Sequence, residues 1–220
     1  MSVEMVDIHK SFGTICALDG ANIAIGDNEI VGLVGDNAAG KSTLMKVLSG
    51  AYKKDSGTIL FDTCEAEINN PKDARSFGIE MVYQDFALAG NLDVTGNVYM
   101  GRELSRWTFL QAKKMATEAR SLIERLGVDI ENVGQVVESM SGGQRQIVAI
   151  ARAMAFDTRV VIMDEPTASL SQSASKRIMD IVLQLKDHGV SVVYISHRLD
   201  EVDRIADRVV RMSHGRMLDA

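Results

Sequence analysis

The sequence predicts an α/β fold, in which a core of short apolar strands and helices is interrupted near its middle by a mostly helical stretch. Three observations predict it. Residues 35–42 (GDNAAGKS) form a glycine-bearing turn between a strand-like apolar run and a helix-forming run. Strand-like segments recur on both sides of the middle of the chain. From about Phe86 to Phe156 the pattern is helical, with no clear strand.

Taken from the N-terminus, residues 3–9 and 21–25 read as short strands, with Gly13 and Gly20 marking turns. Residues 29–34 (EIVGLV) are a strand of the buried type, because both of their faces are apolar. A helix is expected from about Lys41 to Ser49, stopping at Gly50. Strand-like segments return at 57–61, 79–83, 160–163, 190–195 and 208–212. Inside the helical stretch, Ala112, Met115, Ala119, Leu122, Ile123 and Leu126 give one apolar face, and Gly127 fits a C-terminal cap. A second amphipathic helix carries Ile178, Ile181, Val182 and Leu185 and ends before Gly189. One domain of residues 1–220 is expected. Its core is drawn from 1–85 and 157–220, and 86–156 form a helical subdomain.

Composition narrows the partners. The 220 residues are 46% hydrophobic and 25% charged, ordinary for a globular protein, and the formal net charge is −6. That balance argues against a nucleic-acid partner, which calls for a basic patch. Cys16 and Cys64 have neither metal-ligand spacing nor a disulfide framework and read as reduced thiols. The first residues lack a basic segment followed by an apolar run, and no apolar stretch approaches the roughly 18 residues a spanning helix needs. Any membrane service therefore requires another subunit to cross the bilayer.

The GDNAAGKS turn matches the G-x-x-x-x-G-K-[ST] phosphate loop in full and in the right context, after a strand and before a helix. Glycines let backbone N–H groups close around phosphate oxygens, and the following helix aims its positive end at them. Gly35, Asp36, Asn37, Ala38, Ala39, Gly40, Lys41, Ser42 and Thr43 are thus the candidate nucleotide contacts. Lys41 offers a point charge to the β- and γ-phosphates, and the Ser42 hydroxyl is a ligand for Mg²⁺. Residues 160–165 (VVIMDE) supply the complementary acids at a strand end. Asp164 is placed to hold Mg²⁺ and Glu165 to polarise the attacking water as general base. A small-molecule kinase would share the loop but has no need of a base directly after Asp164. A nucleotide sensor that does not hydrolyse would lack Glu165.

Residues 140–145 (MSGGQR) precede another helix-forming run, so Ser141, Gly142 and Gly143 mark a second helix N-terminus suited to phosphate, or a plain Ser cap with two glycines. At this point the chain resembles the ATP-binding cassette (ABC) family over essentially its whole length, with the motifs in family order. MSGGQ looks like the signature motif, with Met140 for Leu; Gln84 in VYQD looks like the Q-loop glutamine; His197 in ISHRL looks like the switch histidine; Phe12 stands where an aromatic residue stacks on adenine. Residues 168–171 (ASLS) lie where the D-loop usually reads SALD.

The resemblance implies a P-loop NTPase fold with an antiparallel β-subdomain and the inserted helical one. It implies Gln84 as a Mg²⁺ and water contact and His197 as a γ-phosphate contact. Two cassettes are implied to sandwich two ATP molecules, each held by Lys41 and Ser42 of one copy and by Ser141, Gly142, Gly143 and Gln144 of the other.

The segments NNPKDARSFGIEMVYQD, NLDVTGNVYMGRE, DEPTASLS and ISHRLDEV are similar to ATPases of bacterial monosaccharide importers. That similarity implies a cytoplasmic subunit, peripheral on the inner face of the cell membrane, working with transmembrane permease subunits and indirectly with a periplasmic solute-binding protein. Residues 86 to about 102 would contact the permease. One cassette, where many such importers use a tandem pair, implies pairing with itself or a homologue. The family domain usually continues beyond the strand pair near Met212 and Met217, so an end at Ala220 implies a compact or truncated chain. An importer for another small solute, or a soluble ABC ATPase without a transporter, is the alternative reading.

Overall fold

The structure, a computed structural model, describes residues 2–127 and 132–218. In chain order, strands β1 (Val3–Phe12), β2 (Ile15–Ile25) and β3 (Ile30–Val34) lead into helix α1 (Lys41–Leu48). Strands β4 (Ser56–Phe61) and β5 (Cys64–Glu65), helix α2 (Pro71–Ser76) and strand β6 (Ile79–Val82) follow. Helix α3 (Val94–Tyr99), the two-residue strands β7 (Ser105–Arg106) and β8 (Phe109–Leu110), and helices α4 (Ala112–Arg125) and α5 (Gly142–Met154) occupy the middle. Strand β9 (Val160–Asp164), helix α6 (Gln172–Asp187), strand β10 (Ser191–Ile195), helix α7 (Leu199–Ile205), and strands β11 (Arg208–Ser213) and β12 (Arg216–Leu218) complete the chain.

Two compact units are present, one of residues 1–81, 158–165 and 185–220, the other of 82–157 and 166–184. The first holds an antiparallel sheet in the order β2-β1-β4-β5 and a second sheet in the order β12-β11-β3-β10-β9-β6. Strands β11, β3, β10 and β9 run parallel, and β12 turns back antiparallel to β11. Every residue of β3, β9 and β10 is buried. That double burial explains why these strands read as continuous apolar runs rather than as alternating ones.

The second unit is helical. α4 buries Met115, Ala119, Leu122 and Ile123, four of the residues of the stripe expected from the sequence. Its ladder ends just before Gly127. α5 buries Gln146, Ile147, Val148, Ala149, Ile150, Ala151 and Ala153.

Three sequence expectations are corrected. The stretch 86–156 is not free of strands, because β7 and β8 pair antiparallel, Arg106 with Phe109 and Ser105 with Leu110. Two-residue strands leave no period for a pattern to show. Gly20 marks no turn: it lies inside β2 at φ +74, skipped by a register in which Ile8 faces Ala21 and His9 faces Asp19. It is the extra residue of a β-bulge, and its left-handed backbone is one that glycine adopts without penalty. The first two strands accordingly run on to Phe12 and begin at Ile15, longer than their apolar cores suggested.

Candidate functional site

Four parallel strands bring their C-terminal ends to one edge of the larger sheet, where open α/β folds place their ligands. β3 ends in Val34, and Gly35 turns the chain at φ +149. A Cβ on Gly35 would lie 2.1 Å from the Met212 carbonyl oxygen, so no larger residue fits this turn. The loop closes through Ala39 N–H to the Asp36 carbonyl at 3.1 Å and hands over to α1, where Leu44 N–H meets the Gly40 carbonyl at 2.9 Å. No side chain caps α1, and no acidic residue lies in its first turn. Its unsatisfied N–H groups and positive dipole end are left for an anion.

Lys41 is buried, and its ammonium donates to the Gly35 and Asp36 carbonyls at 2.8 and 2.9 Å. The cation is thus folded onto the loop that carries it. Ser42 Oγ donates to Asp164 Oδ1 at 2.9 Å, joining the loop to the end of β9. Burial, the largest influence, pushes the Asp164 carboxyl above the usual aspartate range; the neighbouring Glu165 charge adds to the rise, and the Ser42 hydrogen bond, Lys46 and Lys41 oppose it.

Glu165 follows with φ +47, a left-handed backbone that costs of order 1 kcal/mol in a residue other than glycine. Its N–H donates to the Ile195 carbonyl at 3.0 Å, tying the ends of β9 and β10 together. Its Oε1 lies 3.3 Å from Nδ1 of His197, which follows β10. Gly35, Asp36, Asn37, Glu165, His197 and Arg211 line one cavity of about 590 Å³. Residues more than 120 positions apart in sequence therefore share a single opening.

An Mg²⁺ ion fits the donor set. Among the described residues no group of three or more His, Cys, Asp or Glu forms a metal cluster. One hydroxyl and one carboxylate, already in contact, match a cation that draws its remaining ligands from water and substrate phosphates.

The second unit supplies the other helix N-terminus. Ser141 caps α5 in a reciprocal box, Ser141 Oγ accepting from Gln144 N–H at 3.3 Å and Gln144 Oε1 accepting from Ser141 N–H at 3.0 Å. The Gln144 side chain is thus engaged in the cap. Gly142 and Gly143 form the first turn, beside a cavity of about 260 Å³ lined by Ser141, Gly143, Gln144 and Arg177. Gln84 sits exposed in the turn after β6, and the next residues have their carbonyls held by Arg152, Phe86 at 3.2 Å and Ala87 at 2.5 Å. Ser171, the last residue of ASLS, accepts from Ala174 N–H at 3.3 Å in the first turn of α6.

Phe12 ends β1 with 43% of its surface exposed, as a residue stacking on a ligand must be. Sequence reasoning missed Tyr52, whose ring meets that of Phe12 edge-on at 5.1 Å, and Arg211, which lines the larger cavity. A tyrosine two residues after a glycine and an arginine in a strand flanked by β12 and β3 carry no spacing that would have singled them out.

The family model for ABC transporters matches residues 18–168. The chain is 42% identical over 216 residues to a xylose/arabinose import ATP-binding protein of Sulfolobus acidocaldarius, spanning 98% of this chain and 86% of that protein. It is 43% identical over 213 residues to a ribose import ATP-binding protein of Escherichia coli O157:H7, spanning 97% of this chain but only 42% of that protein. Among solved structures, a nucleotide-free ATP-binding cassette from an ABC transporter superposes with a TM-score of 0.89 at 27% identity, over 100% of this chain and 90% of that one. An ATP-binding cassette in its ADP conformation gives 0.85 at 27% identity, over 99% and 90%.

Proposed function

This chain belongs to the ABC transporter family, and from that membership we propose that it is the ATP-hydrolysing subunit of a monosaccharide importer. The observation that carries the reading is the joining of Ser42 to Asp164 at 2.9 Å beside Glu165 and His197, in a chain that also presents a second helix N-terminus at Ser141. The names of the similar import proteins support a pentose as the cargo.

In the proposed mechanism the nucleotide's phosphates enter at the N-terminus of α1. Lys41 exchanges the Gly35 and Asp36 carbonyls for phosphate oxygens, so its charge is already in place when negative charge develops. Ser42, Asp164 and Gln84 would hold Mg²⁺, which neutralises phosphate charge when bound. Glu165 accepts the proton of the attacking water, and His197 holds that carboxylate while facing the γ-phosphate. Phe12 offers a face to adenine. A second copy of the chain supplies Ser141, Gly142 and Gly143 to the same nucleotide, and closure of the pair drives permease subunits that receive sugar from a periplasmic binding protein. Among the described residues no helix is long and apolar enough to cross a membrane, which fits a peripheral place on the inner face.

The test is phosphate release by the purified chain with Mg²⁺ and ATP, followed by reconstitution with its permease and a pentose-loaded binding protein. Turnover that rises more than linearly with protein concentration, and rises again with pentose, is the expected result. Nucleotide binding without any phosphate release would overturn the hydrolytic reading.

A further inference from the structure

Residues 100–114 differ from the rest of the chain in both charge and apolarity. They carry Arg102, Arg106, Lys113 and Lys114 against Glu103 alone, in a chain whose formal charge is −6. At their centre is the β7–β8 hairpin, with Trp107 91% exposed, Phe109 78% and Leu110 63%. A single exposed apolar side chain is ordinary; three large ones within four consecutive residues mark an interaction surface. The turn is also unusual, for Trp107 takes φ +61 in a two-residue connection whose first position favours glycine.

The cations indicate what the hairpin meets. Lys114 pairs with Glu118 at 3.7 Å, and the Arg102 guanidinium lies 3.8 Å from the centroid of the Phe156 ring. Arg106 and Lys113 are exposed and have no ion-pair partner among the described residues. An apolar patch on a partner protein would need only the three apolar side chains. Unpaired cations on either side of them match an anionic lipid surface, where an indole settles at the headgroup level and basic side chains meet phosphates. We propose that the hairpin Ser105–Leu110 is a membrane-surface anchor, with Trp107 and Phe109 entering the headgroup region of an anionic phospholipid bilayer while Arg106 and Lys113 pair with lipid phosphates. The inference does not depend on which solute or permease the chain serves.

Trp107 is the only tryptophan of the chain, so its emission reads the hairpin directly. The purified protein is titrated with vesicles of equimolar phosphatidylcholine and phosphatidylglycerol, and with phosphatidylcholine alone. A blue shift with the anionic vesicles only, quenched by brominated lipid and reversed by high salt, is expected. Replacing both Arg106 and Lys113 by serine should weaken vesicle partition about thirty-fold, at the usual contribution of a basic residue near such a surface. Trp107→Ser should lose sedimentation with vesicles while phosphate release in solution is unchanged. An unshifted emission, an equal shift with phosphatidylcholine alone, or full partition of the double serine variant overturns the proposal. So does a shift seen without lipid as protein concentration rises, which would indicate a second copy, or one seen only with detergent-solubilised permease.

Discussion

Asp164 is 5% exposed, accepts a hydrogen bond from Ser42 and lies in the field of Lys41 and Lys46, yet burial outweighs all of these and its carboxyl keeps its proton to higher pH than an ordinary aspartate. The folded chain thus binds that proton more tightly than the unfolded chain does. Above the raised value the ionised carboxylate opposes folding, and the penalty fades as pH falls toward the ordinary aspartate value. Asp164→Asn should therefore raise the melting midpoint of the nucleotide-free chain at neutral pH, with a gain that shrinks in acid. The same variant should lose Mg²⁺-dependent phosphate release. Thermal scans at neutral and acidic pH check it, and an unchanged or lowered neutral midpoint would sink the idea. Lys41→Ala should cost phosphate release by about 10²-fold, as expected for a positioned charge, and nucleotide titration separates lost binding from lost turnover.

At the scale of elements, the N-terminus of α5 has a capping role and a proposed phosphate-binding one, and one substitution can separate them. Ser141→Ala removes the cap and should lower stability by about 1 kcal/mol. Ser141→Asp keeps a capping oxygen but sets a negative charge where phosphate is proposed to sit. Its melting midpoint should match the native chain while ATP-dependent turnover falls by about 10²-fold. Normal turnover by the Asp variant would remove α5 from the nucleotide site.

The elements also show what a sequence can reveal. β3, β9 and β10 were legible because burial on both faces leaves unbroken apolar runs between their polar ends, and the phosphate loop because Gly35 and Lys41 each answer a strict local demand. α7 was not legible: its seven residues bury Glu201 among Val202 and Ile205, so the apolar period is broken. The β7–β8 hairpin was not legible either, because its turn uses Trp107 where glycine is expected. The contact of Glu165 with His197 depends on pairing between strands, which no local pattern encodes.

For the whole molecule, a shared nucleotide predicts assembly that depends on ATP. Glu165→Gln keeps the size of the side chain and removes the proposed base, so it should bind ATP, turn over at least about 10²-fold more slowly and accumulate as a dimer. Light scattering with ATP, ADP and no nucleotide tests this, and a monomer under all three conditions would defeat the shared-site reading. The position of β3 carries a further consequence, for synthesis on the ribosome. Both of its neighbours, β10 and β11, lie more than 150 residues downstream, so Ile30–Val34 waits with two unpaired edges while most of the chain is made. A bare apolar strand of this kind recruits other strands, and nascent chains halted before Ser191 should be clients of chaperones rather than early binders of nucleotide.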